Sequence, residues 1–233
     1  MTDFYMPVSI HTFLRAARLT SPSKMWQKSE DEVPSKRYER MPIVPLPPPA
    51  ELTTTLSKAL LQRRSIDTKS EQILNTAELS TLLGNALHAN TIGLRPYPSG
   101  GARYPVEFYL VGTFAPLETA RVFHYRPDLH HLENLWQAPE TALRNLYKYV
   151  SPHTPKAFII LTCYFPRTTQ KYGDFGYLPA ILECGHAAQN ILLVGAAQGF
   201  NLRPRAGFTD EDIFALLNID PQHEQAAYVI TLS

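Results

Sequence analysis

Cysteine is nearly missing from this chain: only Cys163 and Cys184 occur among 233 residues, far apart in sequence. That excludes a disulfide framework and a cysteine-based zinc site as organising devices. An excess of charge of either sign is missing too, with 22 Lys and Arg against 21 Asp and Glu. A nucleic-acid binder driven by phosphate neutralisation is not expected from that balance. No basic stretch followed by a long apolar run opens the sequence, so no signal peptide is expected. The longest apolar passage, Ile181–Phe200, is interrupted by Glu183, His186, Gln189, Asn190 and Gln198. It is too polar for a membrane span and reads as a buried helix. HExxH, GxSxG and CxxC do not occur, which removes metalloprotease, α/β-hydrolase and thioredoxin chemistry. Cys184 and His186 face different sides of a helix, and His130–His131 has no companion ligands, so no metal site is expected. His186 reads as a hydrogen-bonded core histidine. The cytoplasm is the expected compartment.

Proline, by contrast, is plentiful: 20 residues, clustered early. Residues 1–49 read as an extended arm, with one short amphipathic turn at Phe13, Leu14, Ala17 and Leu19. Met41–Ala50 (MPIVPLPPPA) is polyproline-like, because each proline fixes φ and removes a donor. The arm is either a linker or a strip lying along the body or a partner subunit. Residues 50–233 form one domain of ordinary size.

Within that domain Leu52, Leu56, Leu60 and Leu61 recur at helical spacing from Glu51. Asn75 with Glu78 is a capping pair opening a second helix through about Ala89. Val106–Gly112 (VEFYLVG), Arg121–Arg126 (RVFHYR), Ala157–Phe165 (AFIILTCYF) and Ala226–Leu232 (AAYVITL) read as strands, the third buried on both faces. Helices are expected at Ala138–Tyr149, from about Leu178, and after Thr209, whose pairing with Asp212 is an acidic variant of the capping box. The resulting order is an α+β pattern with a mainly antiparallel sheet.

Four segments carry chemistry. Arg63–Arg64–Ser65, just past a helix end, suits a phosphate through charge-assisted bonds, or simply complements the helix dipole. Pro98-Ser-Gly-Gly-Ala-Arg-Tyr-Pro105 precedes a strand; its paired glycines let backbone approach a ligand, while Ser99 and Arg103 supply polar contacts. It is neither a Walker loop nor a Rossmann fingerprint. Lys171-Tyr172-Gly173 sets an amine beside a phenol, both with ordinary pKa values of about 10, so base chemistry needs burial or a cationic neighbour. Without such context the pair is an exposed loop. Arg203-Pro-Arg-Ala-Gly-Phe208 offers small residues to a flat ring, or is a basic connecting loop.

Together and in this order, the four segments resemble the nitroreductase superfamily. More narrowly they resemble the SagB/ThcOx group, the azoline dehydrogenases of thiazole/oxazole-modified peptide biosynthesis. The likeness runs from about Tyr38 onward. It rests on RRS at 63–65, PSGGARYPVEFYLV at 98–111, KYG at 171–173, GY at 176–177, ECGHAAQN at 183–190 and GF at 207–208. It implies a nitroreductase-like fold, an intertwined homodimer and FMN at the subunit interface. It further implies that Arg63, Arg64 and Ser65 hold the phosphate and ribityl end. Ser99, Gly100, Gly101 and Arg103 then contact the ribityl chain and isoalloxazine. Arg205, Ala206 and Gly207 lie near the reactive edge, and Lys171 and Tyr172 are the catalytic pair. The implied partners are a precursor peptide and a cyclodehydratase complex, with no nucleic acid and no membrane.

The pattern also departs from the group. Asp67 stands where a basic phosphate ligand is common, Asp174–Phe175 and Leu178 replace arginines, and no basic tail precedes Ser233. Arg203 or Arg205 is the expected compensation. Two rivals follow: an NAD(P)H-dependent nitro- or quinone reductase, told apart by flavin bleaching with NADPH, and a flavin-poor scaffold subunit, told apart by colourless protein. The Lys171–Tyr172 pair favours the dehydrogenase.

Overall fold

The computed structural model describes residues 33–69, 74–114, 119–150 and 155–233, with backbone alone at 147–150. The turn expected at Phe13–Leu19 lies outside the described residues. All four expected strands form, as β2 (Val106–Gly112), β3 (Arg121–Arg126), β5 (Ala157–Tyr164) and β7 (Glu224–Leu232). Three more join them: β1 (Ile43–Pro45), β4 (His131–Gln137) and β6 (Leu202–Arg205). The sheet runs β1-β4-β3-β2-β5-β7-β6, and each neighbouring pair is antiparallel. This is a nitroreductase-like α+β fold.

The additions have local causes. In β4 (HLENLWQ) the polar Glu133 and Asn134 are satisfied inside the sheet, by His124 and Arg121, so alternation is hidden from the sequence. The segment Arg203–Phe208, expected as a connecting loop, starts as a strand instead; Pro204 is tolerated because β6 is an edge strand. The arm is likewise no linker from residue 34 onward, since β1 pairs with β4 and Leu46 is buried.

Six α-helices complete the described residues: α1 (Leu56–Gln62), α2 (Thr76–Leu87), α3 (Glu140–Val150), α4 (Pro166–Tyr172), α5 (Tyr177–Gln198) and α6 (Asp210–Leu217). The Asn75 side chain caps α2 by accepting from Glu78 N at 2.9 Å. Thr209 opens α6, but its hydroxyl donates to Asp212 at 2.5 Å and makes no cap bond to backbone.

On one face of the sheet α2 and α5 bury Leu79, Leu82, Leu83, Leu87, Ala187, Ala188 and Ile191 against Phe108, Leu110, Ile159 and Ile230. The helical run 166–198 is apolar and long enough to cross a membrane by length and composition, yet half of its most apolar window is buried in the fold. His186 contradicts its expected core role: it is exposed on α5, while Cys184 beside it is buried. Both cysteines are reduced, their sulfurs 3.4 Å apart.

On the opposite face α3 and α6 cover Tyr109, Val111, Phe158 and Ile160. Among the described residues no helix covers the rest of that face, where Glu107, His124, Glu133 and Glu224 are buried under residues 34–38.

Candidate active site

The Pro98–Pro105 loop takes an unusual backbone path. Gly101, Ala102 and Tyr104 have φ of 62°, 54° and 48°. For the two non-glycine residues this costs roughly 1–2 kcal/mol each, so other bonds must impose it. Tyr104 supplies most of them. Its N–H donates to Ser99 Oγ at 2.8 Å, its hydroxyl accepts from Arg95 N at 3.0 Å, and the Arg95 guanidinium lies 4.6 Å over its ring.

Lys171 and Tyr172 end α4 rather than standing in a loop. Pro166 starts that helix, and Gly173, at φ 58°, stops it. A short 3-10 turn, Gly173–Gly176, then leads into α5. Gly176 must lack a side chain, because a Cβ there would stand 2.6 Å from the Thr168 carbonyl carbon. Both members of the pair are half-buried, with Lys171 Nζ 5.3 Å from the centre of the Tyr172 ring. They meet the loop directly: a Cβ on Gly101 would collide with the Tyr172 hydroxyl and stand 2.5 Å from Lys171 Nζ. Gly100 faces Pro179 on α5 in the same way, at 3.3 Å. Ser99, Gly100, Gly101, Arg103, Lys171 and Tyr172 therefore form one group.

The remaining expected residues form a second group. Arg63 closes α1. Arg64 Nη1 donates to Leu61 O at 2.8 Å and to Arg63 O at 2.9 Å, carbonyls at the end of α1. Ser65 is exposed. Ile66 N donates to Leu202 O at 3.0 Å, which stitches this turn to β6. There Arg205 pairs with Asp67, and Arg203 approaches the same carboxylate at 3.5 Å. Ala206 and Gly207 follow, exposed. Beside the turn, an open cleft of about 460 Å³ is lined by Arg64, Ile66, Ala196, Gly199 and Leu202.

The two groups sit at opposite ends of α5, near Pro179 and near Ala196, about 25 Å apart at 1.5 Å per residue. Each fits one end of FMN. Four arginines against one aspartate suit a phosphate, and backbone without side chains suits a flat ring.

Sequence reasoning gave Glu183 no role. It is 1% exposed on α5, and neither carboxyl oxygen makes a hydrogen bond of normal geometry. Burial pushes its carboxyl up to about 7, against the pull of Ser99 and of the Arg95 and Arg167 charges.

A model of the nitroreductase family matches residues 60–232. The chain belongs to that family. Among curated relatives, a protein of Methanocaldococcus jannaschii assigned to the nitroreductases, MJ1384, is 29% identical over 70% of this chain and 84% of its own length. The microcin B17-processing protein McbC of Escherichia coli is 32% identical over 63% of this chain, which spans 57% of McbC. The E. coli microcin synthetase McbBCD complex, solved with truncated pro-MccB17 bound, contains a chain that shares the fold at a TM-score of 0.67 and 24% identity. That match covers 96% of this chain and 91% of that one. The likeness of this nitroreductase-family chain to a peptide-processing protein agrees with the group its motifs resemble.

Proposed function

We propose that this chain is an FMN-dependent azoline dehydrogenase, which oxidises thiazoline or oxazoline rings of a modified peptide to thiazoles or oxazoles. The observation that carries the reading is the seating of Lys171 and Tyr172 on Gly101. An amine and a phenol at the glycine loop provide a proton acceptor, which a reductase fed by nicotinamide does not need. The relation to McbC, a microcin-processing protein, supports a peptide as substrate.

FMN, when bound, supplies a two-electron acceptor. Arg63, Arg64 and Ser65 hold its phosphate and ribityl end, Ser99, Gly100, Gly101 and Arg103 contact the ring, and Arg205, Ala206 and Gly207 lie at its edge. Lys171 or Tyr172 takes the Cα proton of the azoline, a contribution of about 10²–10⁴-fold. Each ring loses that proton and one Cβ hydrogen with its electron pair, two hydrogens in all. Because the two groups stand at opposite ends of α5, each flavin draws its phosphate and ring-edge contacts from one subunit of a homodimer and its glycine-loop contacts from the other. The cyclodehydratase that forms azolines is the natural partner, and the cytoplasm the compartment.

Mass spectrometry on an azoline peptide tests this, with loss of two hydrogens per ring expected. Lys171→Ala with Tyr172→Phe is expected to leave yellow, folded protein without that activity. Full turnover by the double variant sinks the base assignment. Rapid bleaching by NADPH with nitroarene turnover points instead to a reductase, and colourless protein to a scaffold.

A further inference from the structure

Arg167 lies one helical turn before Lys171 on α4 and is 3% exposed. Its guanidinium is tied in three directions. Nη1 donates to Tyr104 O at 2.9 Å, Nη2 to the Glu107 carboxylate, and Nε to Pro34 O at 3.3 Å. One side chain thus joins the helix carrying Lys171 and Tyr172 to the glycine-rich loop, to β2 and to the arm.

Glu107 is itself held. His124 Nε2 lies 2.8 Å from its Oε2, and Lys36 N donates to its Oε1 at 3.3 Å. His124 Nδ1 in turn meets Glu133 at 2.7 Å, and Glu133 meets Arg126 at 3.4 Å. Basic and acidic side chains alternate along this buried chain. Although burial opposes it, Arg167 with His124 holds the Glu107 carboxyl far below the usual range, and both carboxylates hold the imidazole proton of His124 above its ordinary value. An apolar cluster would cover this part of the sheet at less desolvation cost than a run of buried ions. What the ions supply is direction: a guanidinium fork fixes the distance and angle between the segments it joins.

We propose that Arg167 is a positioning residue, which through Tyr104 O and Glu107 sets α4 against the Pro98–Pro105 loop and so holds the Lys171 amine and Tyr172 hydroxyl on Gly101. The role assigned to that pair rests on the function proposed above; the clamp itself does not. Pro34 and Lys36 belong to the same clamp, so this part of the arm is framework for the site.

The test uses the full FMN-loaded chain with Arg167→Lys, which keeps the charge but loses the fork, and with the double variant Arg167→Met, Glu107→Gln. Removing both partners together avoids a lone buried charge. Amide hydrogen exchange is expected to speed up about tenfold in residues 168–172 and 100–104, with β2 and β5 unchanged. On an azoline peptide kcat is expected to fall about 10–100-fold while KM stays within about threefold. Unchanged exchange in both segments overturns the clamp, as does full kcat in a variant whose exchange has risen. If wild-type protein leaves azolines untouched, the proposed reaction fails, and exchange alone still decides the clamp.

Discussion

Gly101 packs against the tip of Tyr172 so closely that a side chain on it would push the Tyr172 hydroxyl and the Lys171 amine aside. The same glycine holds φ at 62°, where an L-residue is strained. Gly101→Ala therefore combines about 1 kcal/mol of backbone strain with displacement of both Lys171 Nζ and the Tyr172 hydroxyl. Folded protein with kcat, measured at saturating FMN, lowered about 100-fold is expected. Gly100→Ala is the control, since its Cβ meets Pro179 at 3.3 Å and Tyr172 only at 3.8 Å. Equal kinetics for the two variants would show that the contact at Gly101 has no bearing on turnover.

Glu183 makes stability depend on pH in an uncommon direction. Its folded pKa, about 7, lies above the ordinary 4.5, so between these values the folded chain binds more protons than the unfolded one. Stability is then fully present below 4.5 and is lost as pH rises through 7. Glu183→Gln removes the group that titrates. Between about pH 5 and pH 8, the unfolding free energy of the wild type, read from urea titrations, should fall relative to the variant by up to about 3 kcal/mol. Parallel pH profiles would mean that Glu183 carries its charge in the fold at no cost.

Much of the fold was legible because its signals are local. Asn75 with Glu78 specifies a helix start by one bond, and apolar runs such as AFIILTCYF specify strands that are buried whatever their neighbours. What escaped depends on neighbours. His124 and Arg121 meet the polar residues of β4 from across the sheet, so HLENLWQ looked like no strand. The site followed the same rule. Each segment was visible, but their division between the two ends of α5 follows from sheet order and helix packing. Arg167 was missed although a trace existed: Glu107 in the otherwise apolar VEFYLVG requires a buried cation.

Asp67 draws Arg205 and Arg203 to itself at the second group. The arginines expected to make up for the missing basic ligand are thus partly neutralised before any phosphate arrives. Asp67→Asn keeps the shape and removes the charge. FMN affinity is expected to rise severalfold, on the order of 1 kcal/mol, and to depend more steeply on salt. Fluorescence titration of apoprotein with FMN checks this. Weaker binding would mean that Asp67 aims Arg205 rather than competing for it.

The separation of the two groups along α5 leads to the strongest consequence for assembly. If the two groups of one site come from different subunits, damage to each group can be placed on different chains and partly cancelled. Arg63→Ala with Ser65→Ala disables one group, and Lys171→Ala with Tyr172→Phe the other. Each variant alone is expected to be inactive. In a heterodimer one site collects all four substitutions and its twin collects none. Random re-pairing of a one-to-one mixture should therefore restore about a quarter of wild-type activity. Recovery fails if a single chain supplies both groups to one flavin, because every site in the mixture then keeps a defect. Turnover measured before and after unfolding and refolding the mixture separates the two arrangements.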